Sequence, residues 1–167
     1  NLICSKTVPE VVAELGGTPV RTKVGHSFIK QIMAETGAVF GGEHSAHYYF
    51  ARNFNADSGL IASLMVMAEV GRSGKPLSVV RKPYERYAAS GEINTEVVDA
   101  LAVIERISAE YAEFDQDRLD GLTVDCGSWW FNLRPSNTEP LLRLNLEAAD
   151  RASCDDAVGT LLGQITN

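Results

Sequence analysis

Short apolar segments alternate with stretches of helical periodicity in the first third of the chain. A capping-box pattern at Thr7–Glu10 opens a helix that Gly16 and Gly17 end, and a second helix opens at His26 or Ser27 and ends at Gly37. The apolar segments between and around these helices predict strands at residues 1–4, 19–21 and 38–40. The order β-α-β-α-β predicts a mainly parallel sheet with helices on its faces.

Two polar loops leave the expected carboxyl ends of neighbouring strands in this sheet. One is Lys23–His26, and the other is Gly41–His47. Because ligands of such sheets bind beyond the carboxyl ends of the strands, we expect the two loops to lie side by side on one rim.

The longest apolar segment of the chain predicts a third helix, from Ser58 to about Arg72, with Asp57 as its cap. This helix is apolar nearly all round, so we expect it to be buried and its methionines, Met65 and Met67, to pack in a core. At Leu60–Val70 the apolar run is well short of the ~20 residues that a membrane span needs.

The second half of the chain changes in character. Tyr87–Ile93 predicts a strand, Asn94 or Thr95 caps a helix, and Asp150 or Ser153 caps a last one. Between these helices, apolar and polar positions alternate with the period of half-buried strands at residues 122–126, 129–134 and 142–147. We therefore predict a partial three-layer α/β domain at residues 1–80, followed at residues 81–167 by an α+β domain with an antiparallel sheet and two covering helices.

Composition narrows the classes of partner and compartment. The net charge of the 167 residues is -7 and no basic run stands out, which argues against nucleic acid or an anionic membrane as a partner. An odd number of cysteines, Cys4, Cys126 and Cys154, without a CxxC spacing indicates a reducing, cytoplasmic setting. Because the chain begins without methionine and within a predicted strand, we expect it to be part of a longer protein.

A second loop, Arg134–Pro140, is bracketed by prolines between two predicted antiparallel strands. Its guanidinium, its two hydroxyls and its amide are a donor set suited to a tetrahedral oxyanion, and arginine can bind a phosphate with two parallel hydrogen bonds. The same residue types are also common in ordinary hairpin turns, and residue chemistry alone leaves both interpretations open.

The first loop likewise allows more than one chemistry. Glu43 and Ser45 can accept from and donate to the neighbouring hydroxyls of a sugar, but Glu43 could instead cap a helix or pair with a cation. All three histidines lie in the rim loops, so Glu43, His44 and His47 could bind zinc together with His26. Their spacing is not the helical H-E-x-x-H of zinc peptidases.

Four segments together resemble the motifs of one enzyme superfamily, the α-D-phosphohexomutases, and most closely its phosphomannomutase/phosphoglucomutase branch. G-G-E-H-S-A-H-Y-Y-F at residues 41–50 is similar to the family's sugar-binding loop G-E-x-S-G-H, and R-P-S-N-T-E-P at residues 134–140 is similar to its phosphate-binding loop R-x-S-N-T-x-P. T-K-V-G-H-S at residues 22–27 resembles K-x-G-H-S, and Asp57-Ser58-Gly59 resembles D-D-G.

The resemblance implies an enzyme that interconverts hexose 1-phosphate and hexose 6-phosphate through a bisphosphorylated sugar. It implies two sets of substrate-binding residues. For the sugar they are Glu43, Ser45, His47 and His26, and for the phosphate they are Arg134, Ser136, Asn137 and Thr138.

The sequence also departs from the family. Ala46 replaces the usual glycine of the sugar loop, and His44 differs from the best-known variants, which leaves mannose or glucose open. The family's phosphoserine loop and its magnesium loop, D-G-D-x-D-R, do not occur in this sequence. The resemblance therefore implies a carboxyl-terminal part, domains 3 and 4, with no catalytic or metal-binding residue of its own. The missing N-terminal domains would bind Mg²⁺ and carry the phosphoserine, and the part alone would be inactive.

Three alternatives remain at this point. The chain could be a free-standing module that binds phosphorylated sugars without chemistry, it could be part of a phosphoglucosamine mutase, or it could carry the zinc site described above.

Overall fold

The protein is described by a computed structural model that covers residues 1–136 and 139–166. The chain divides into two compact units, residues 1–86 and residues 87–167. The boundary between residues 80 and 81 that the sequence indicates falls inside a short helix, Leu77–Arg81.

The first unit combines helices with a small sheet. Its elements in chain order are α1 (Thr7–Glu14), α2 (His26–Thr36), β1 (Phe40–Gly42), β2 (Tyr48–Phe50), β3 (Ala56–Asp57), α3 (Gly59–Ser73) and α4 (Leu77–Arg81). The sheet has the order β1-β2-β3, and both pairings are antiparallel.

The predicted parallel sheet is therefore wrong for the described residues of this unit. Residues 1–4 and 19–21 form no strand, and a backbone hydrogen bond from the Leu2 N–H at 2.9 Å reaches the Thr22 oxygen, just after the second segment. Pro19 has no N–H to donate to a ladder, which removes one bond that a strand there would need. The mixed α/β class of the unit is confirmed.

A close approach of α2 to β1 forms the core of the first unit. Ile29 and Met33 on α2 pack against Tyr49 on β2, and all three side chains are buried. A Cβ at position 41 would lie 2.8 Å from Ile29 Cγ2 and 3.0 Å from Met33 Sδ, so Gly41 is what lets the strand come this near to the helix.

The expected burial of α3 is also wrong in this structure. No residue of this helix is buried, and Leu60, Met65 and Met67 are 72%, 60% and 67% exposed. An all-round apolar helix needs cover on several sides, and strands of two or three residues, such as those of the β1-β2-β3 sheet, provide little surface for that. The cap is Ser58, whose side chain accepts from the Ile61 N–H at 3.2 Å.

The second unit confirms the predicted α+β architecture. Its elements are β4 (Ala88–Glu96), α5 (Ala100–Glu110), β5 (Asp115–Asp117), β6 (Leu122–Asp125), β7 (Trp129–Pro135), β8 (Leu141–Ala148) and α6 (Arg151–Thr166). The sheet is antiparallel with the order β4-β8-β7-β6-β5, and residues of both helices share one core with it.

The helix ends of the second unit were predicted with mixed success. Asn94 and Thr95 lie inside β4 and cap no helix; Asp99 does this instead and accepts from the Ala102 N–H at 3.0 Å. The longer strand is stabilised by its pairing with β8 from Glu92 to Glu96, which a local capping signal does not reveal. Asp150 caps α6, as expected, and accepts from the Ser153 N–H at 2.8 Å.

The sheet of the second unit has one apolar and one polar face. Phe131 and Leu133 on β7 and Leu144 on β8 point to the helices and are fully buried. Because side chains alternate along a strand, Arg134 on β7 and Arg143 on β8 point to the opposite face, which carries the candidate anion site.

Candidate functional site

The first candidate loop connects two antiparallel strands, β1 and β2. The Glu43 N–H donates to the His47 oxygen at 2.9 Å, and the Ala46 N–H donates to the Glu43 oxygen at 3.1 Å, so the segment forms a tight hairpin loop. Ala46 has a φ of 65°, in the left-handed region. A glycine, which the family motif carries at this position, adopts that φ without the steric cost that a Cβ adds.

Glu43 is the buried centre of this loop. Its carboxylate accepts from the Tyr49 hydroxyl at 2.6 Å, from the Gly25 N–H at 3.0 Å and from the Asn1 side-chain amide at 3.2 Å. Burial alone would raise the pKa of Glu43, but these hydrogen bonds lower the pKa below its ordinary value. The carboxylate is therefore charged and serves first as a cross-link within the protein.

The bond from Gly25 brings the two rim loops together. Gly25 precedes helix α2, whose first residue is His26, so Glu43 holds the Lys23–His26 loop against the β1–β2 loop. The expected proximity of these loops is present, although its cause is this buried carboxylate and not the carboxyl ends of parallel strands.

The other candidate residues of the first unit are exposed around this cross-link. His26, His44, Ser45 and His47 are all solvent-exposed. A buried carboxylate surrounded by exposed hydroxyl and imidazole groups can hold its loops in place while the exposed groups donate to and accept from a polyhydroxylated ligand.

His47 is oriented by Asp57, a partner that the sequence interpretation missed. His47 Nδ1 lies 2.7 Å from Asp57 Oδ2, and the Tyr48 N–H donates to Asp57 Oδ1 at 2.8 Å. The hydrogen bond to Asp57 and the negative charge of that carboxylate raise the pKa of His47. The expected helix-cap role of Asp57 is wrong, because its carboxylate is engaged with β2 and Ser58 takes the cap.

The second candidate loop leaves β7 at Pro135 and reaches β8 at Leu141. The Ser136 N–H donates to the Leu141 oxygen at 2.8 Å, so this serine stands at the base of the loop. The Arg134 side chain is 14% exposed. Asn137 and Thr138, two of the predicted phosphate ligands, lie outside the described residues.

Arg143 is a further cation at this site that the sequence interpretation did not select. It pairs directly across the sheet with Arg134, and its Nη2 donates weakly to the Ser136 Oγ at 3.4 Å. Among the described residues, the buried Nε atoms of both arginines and Nδ2 of Asn145 have no hydrogen-bond partner. A tetrahedral oxyanion accepts from this kind of donor cluster. Arg134 and Arg143 stand at matching positions before and after the hairpin loop, so they pair across it. This symmetry in the sequence could have identified Arg143.

The described residues contain neither a cluster of metal-binding side chains nor a helix that could span a membrane. Within residues 1–136 and 139–166, no group of three or more histidine, cysteine, aspartate and glutamate side chains could hold a metal ion. The zinc alternative thus has no cluster in that part of the chain. In the same residues no helix has the length and apolar character to cross a bilayer.

Comparison with known protein families covers both units. The model for phosphoglucomutase/phosphomannomutase alpha/beta/alpha domain III matches residues 1–87, and the model for the phosphoglucomutase/phosphomannomutase C-terminal domain matches residues 92–159. The chain belongs to the phosphoglucomutase/phosphomannomutase family. This confirms the resemblance seen in the sequence motifs.

Individual members of the family support the same assignment. The chain is 42% identical to a phosphomannomutase of Methanocaldococcus jannaschii over 158 residues, which is 95% of this chain and 35% of that protein. It is 47% identical to a phosphomannomutase of Salmonella montevideo over 141 residues, 83% of this chain and 31% of that protein. The chain therefore spans about a third of the length of these relatives.

A crystal structure of a phosphoglucomutase/phosphomannomutase family protein from Burkholderia thailandensis matches the fold with a TM-score of 0.81. The match has 26% identity and covers 98% of this chain and 36% of that one.

Proposed function

We propose that this chain supplies substrate recognition to a phosphohexomutase that interconverts hexose 1-phosphate and hexose 6-phosphate of mannose, glucose or both through a bisphosphorylated sugar. The observation that carries the proposal is the arginine pair on the polar face of the second unit. Arg134 and Arg143 face each other from adjacent strands, and Ser136 lies beside them. In a chain with a net charge of -7, such a local concentration of donors favours an anionic ligand.

In this proposal the phosphate that does not react is held by Arg134 and Ser136, with Arg143 added from the structure. Asn137 and Thr138 complete the set as sequence-based assignments. A guanidinium can donate two parallel hydrogen bonds to phosphate, and its charge is not lost at any physiological pH.

The sugar is assigned to the first unit. Ser45 and His47 are exposed and offer a hydroxyl and an imidazole, and His26 is exposed at the start of α2. A carboxylate can accept about four hydrogen bonds, so Glu43, which accepts from Tyr49, Gly25 and Asn1, retains the capacity for one sugar hydroxyl. Because Glu43 is only 7% exposed, the exposed side chains make most of the contacts to the sugar.

Recognition residues of this kind contribute to phosphoryl transfer through position and charge. Holding the substrate in the reactive geometry replaces a bimolecular encounter, and the spectator phosphate provides binding energy for that orientation. The described residues of this chain do not provide a Mg²⁺ site. We assign Mg²⁺ and the phosphorylated serine to upstream domains of a longer cytoplasmic protein, and we expect the chain alone to have no mutase activity.

The proposal is tested in the full-length enzyme with the Arg134→Ala variant. Loss of about 2 kcal/mol of charge-assisted hydrogen bonding should raise the KM for mannose 1-phosphate about 30-fold, with a smaller change in kcat. Arg106→Ala is the matched control, since Arg106 lies on α5 and pairs with Glu110 at 3.3 Å. Wild-type kinetics in Arg134→Ala would refute the phosphate assignment. Turnover of glucosamine phosphate in preference to mannose and glucose phosphates would favour a phosphoglucosamine mutase. Binding of these hexose phosphates without any turnover would favour a stand-alone binding module.

A further inference from the structure

Glu92 brings a negative charge to the same face as the arginine pair, and its position is fixed by a bulge in β4. The pairing of β4 with β8 shifts between Ala89 and Glu92, and Gly91 takes a φ of 72° in the inserted segment. The Ser90 Oγ accepts from the Leu146 N–H at 2.9 Å, which ties the bulge to β8. Bulges of this kind re-aim a side chain, and here Glu92 comes to lie opposite Asn145.

The carboxylate of Glu92 contacts both guanidinium groups, but loosely. Its Oε1 lies 3.3 Å from Arg143 Nη1, and its Oε2 lies 3.6 Å from Arg134 Nη2. Both separations exceed the roughly 2.7–2.9 Å of a charge-assisted hydrogen bond. Glu92 is therefore an ion-pair partner that compensates charge without using the hydrogen-bonding capacity of either arginine.

Charge balance on this face explains why such a partner is needed. Like charges directly opposite in adjacent strands are destabilising, and Arg134 and Arg143 are such a pair. The β4 residue opposite Arg143 is Asn94, which is neutral, so Glu92 is the carboxylate that offsets the repulsion. The three side chains together retain a net charge of about +1.

We propose that Glu92 is an internal counter-ion that an incoming anion displaces, and that this competition leaves measurable affinity for dianionic phosphate esters but not for monoanions. The proposal rests on the proposed phosphate-binding function of Arg134 and Arg143. A monoanionic ligand such as a carboxylate replaces Glu92 with a group of equal charge, so it gains no electrostatic energy and still loses translational freedom. A dianion brings one additional negative charge to the two guanidiniums and gains the difference. The internal competitor lowers the affinity for every anion by the same factor, so the ligand of higher charge is the one that still binds measurably.

The test uses the 167-residue chain and two small probes, methyl phosphate and acetate, at about pH 8, where a phosphate monoester with a second pKa near 6 is a dianion. Dissociation constants are measured by NMR titration. In Glu92→Gln, methyl phosphate should bind about threefold tighter or more, and acetate should gain by about the same factor, because both ligands displace the same carboxylate. The glutamine keeps the size of the side chain and removes the competing charge.

Glu96→Gln is the matched control, because Glu96 lies on the same strand and, by the alternation of side chains, on the same face, yet pairs with Leu141. It changes the net charge equally and should leave both constants unchanged. Glu92→Asp provides a second variant, in which a shortened carboxylate should give an intermediate affinity. Methyl phosphate binding that is unchanged or weaker in Glu92→Gln, while the wild-type chain binds it, would overturn the counter-ion role alone. Absence of methyl phosphate binding in both chains would overturn the proposed phosphate function and the counter-ion role with it.

Discussion

Replacing Glu43 by alanine should destabilise the first unit selectively. The carboxylate accepts from a hydroxyl, a backbone N–H and a side-chain amide, contributed by Tyr49, Gly25 and Asn1. Glu43→Ala removes all three bonds at once and separates the two loops that they join. Glu43→Gln keeps the shape but replaces one oxygen by a donor, and Tyr49→Phe removes one bond only.

The magnitude follows from the number of bonds and their surroundings. A hydrogen bond to a charged acceptor contributes about 1.5–3 kcal/mol when it is buried and about 1–2 kcal/mol where water can replace it. The Tyr49 bond is buried, while the other two are partly buried. We therefore expect Glu43→Ala to lower the free energy of unfolding of this unit by about 3.5–7 kcal/mol, and Tyr49→Phe by about 1.5–3 kcal/mol.

The assay can separate the two units because both tryptophans, Trp129 and Trp130, lie in the second one. In Glu43→Ala, urea unfolding followed by tryptophan fluorescence should be the same as in the wild type. Circular dichroism should show a transition at a lower urea concentration, and the Gly25 amide should exchange its proton faster. Since the pKa of Glu43 is lowered from about 4.5, the wild-type unit should also lose stability as the pH falls below that value, and Glu43→Gln should lack this loss. A loss of less than about 1 kcal/mol in the free energy of unfolding of Glu43→Ala would refute the role of Glu43 as a stabilising cross-link.

Two more predictions concern backbone strain and the imidazole at position 47. Gly121→Ala would place a Cβ 2.2 Å from the Leu133 oxygen, at a φ of 72°, so it should lower the free energy of unfolding of the second unit by about 2–5 kcal/mol in urea. In the control Gly127→Ala the new Cβ has no atom within 4 Å, and the loss should be about 1 kcal/mol. Equal losses in the two variants would contradict the steric argument. Asp57→Asn should lower the pKa of His47 in an NMR titration, because the carboxylate that raises this pKa is lost. Since the pKa of His47 is raised in the folded protein, the pair stabilises the fold below the ordinary pKa of about 6.5. This stabilisation is lost as the pH rises through the pKa of the folded state. An unshifted His47 titration would show that Asp57 does not control this imidazole.

The second unit could be predicted from sequence because its strands are long enough to show a pattern. The alternation of Phe131 and Leu133 with polar residues on β7 indicated a sheet with one covered face, and the structure has this sheet. A period of two is visible only over several residues, and the two or three residues of β1, β2 and β3 do not show one. The parallel sheet was inferred from element order alone, and the antiparallel hairpin at Tyr48 contradicts it.

The candidate site was predictable in its residue types and less so in its contacts. The sequence indicated that the loops at Gly25 and Glu43 lie together, but it did not show that Glu43 itself joins them. Arg143 was missed because a cross-strand neighbour depends on register, and Glu92 because its orientation depends on a bulge. The apolar pattern of α3 indicates that the helix can be covered, but it does not determine which element provides the cover.

The most direct test of the account is an NMR titration of the isotope-labelled 167-residue chain with mannose 6-phosphate. Recognition of a phosphosugar predicts saturable shifts of the amides of Ser45 and His47 in the first unit and of Arg134 and Ser136 in the second. Methyl phosphate should shift the second set alone, and Arg134→Ala should abolish its response. Shifts confined to other residues, or no saturable shift in either set, would contradict the assignment of this chain as the substrate-recognition part of a phosphohexomutase.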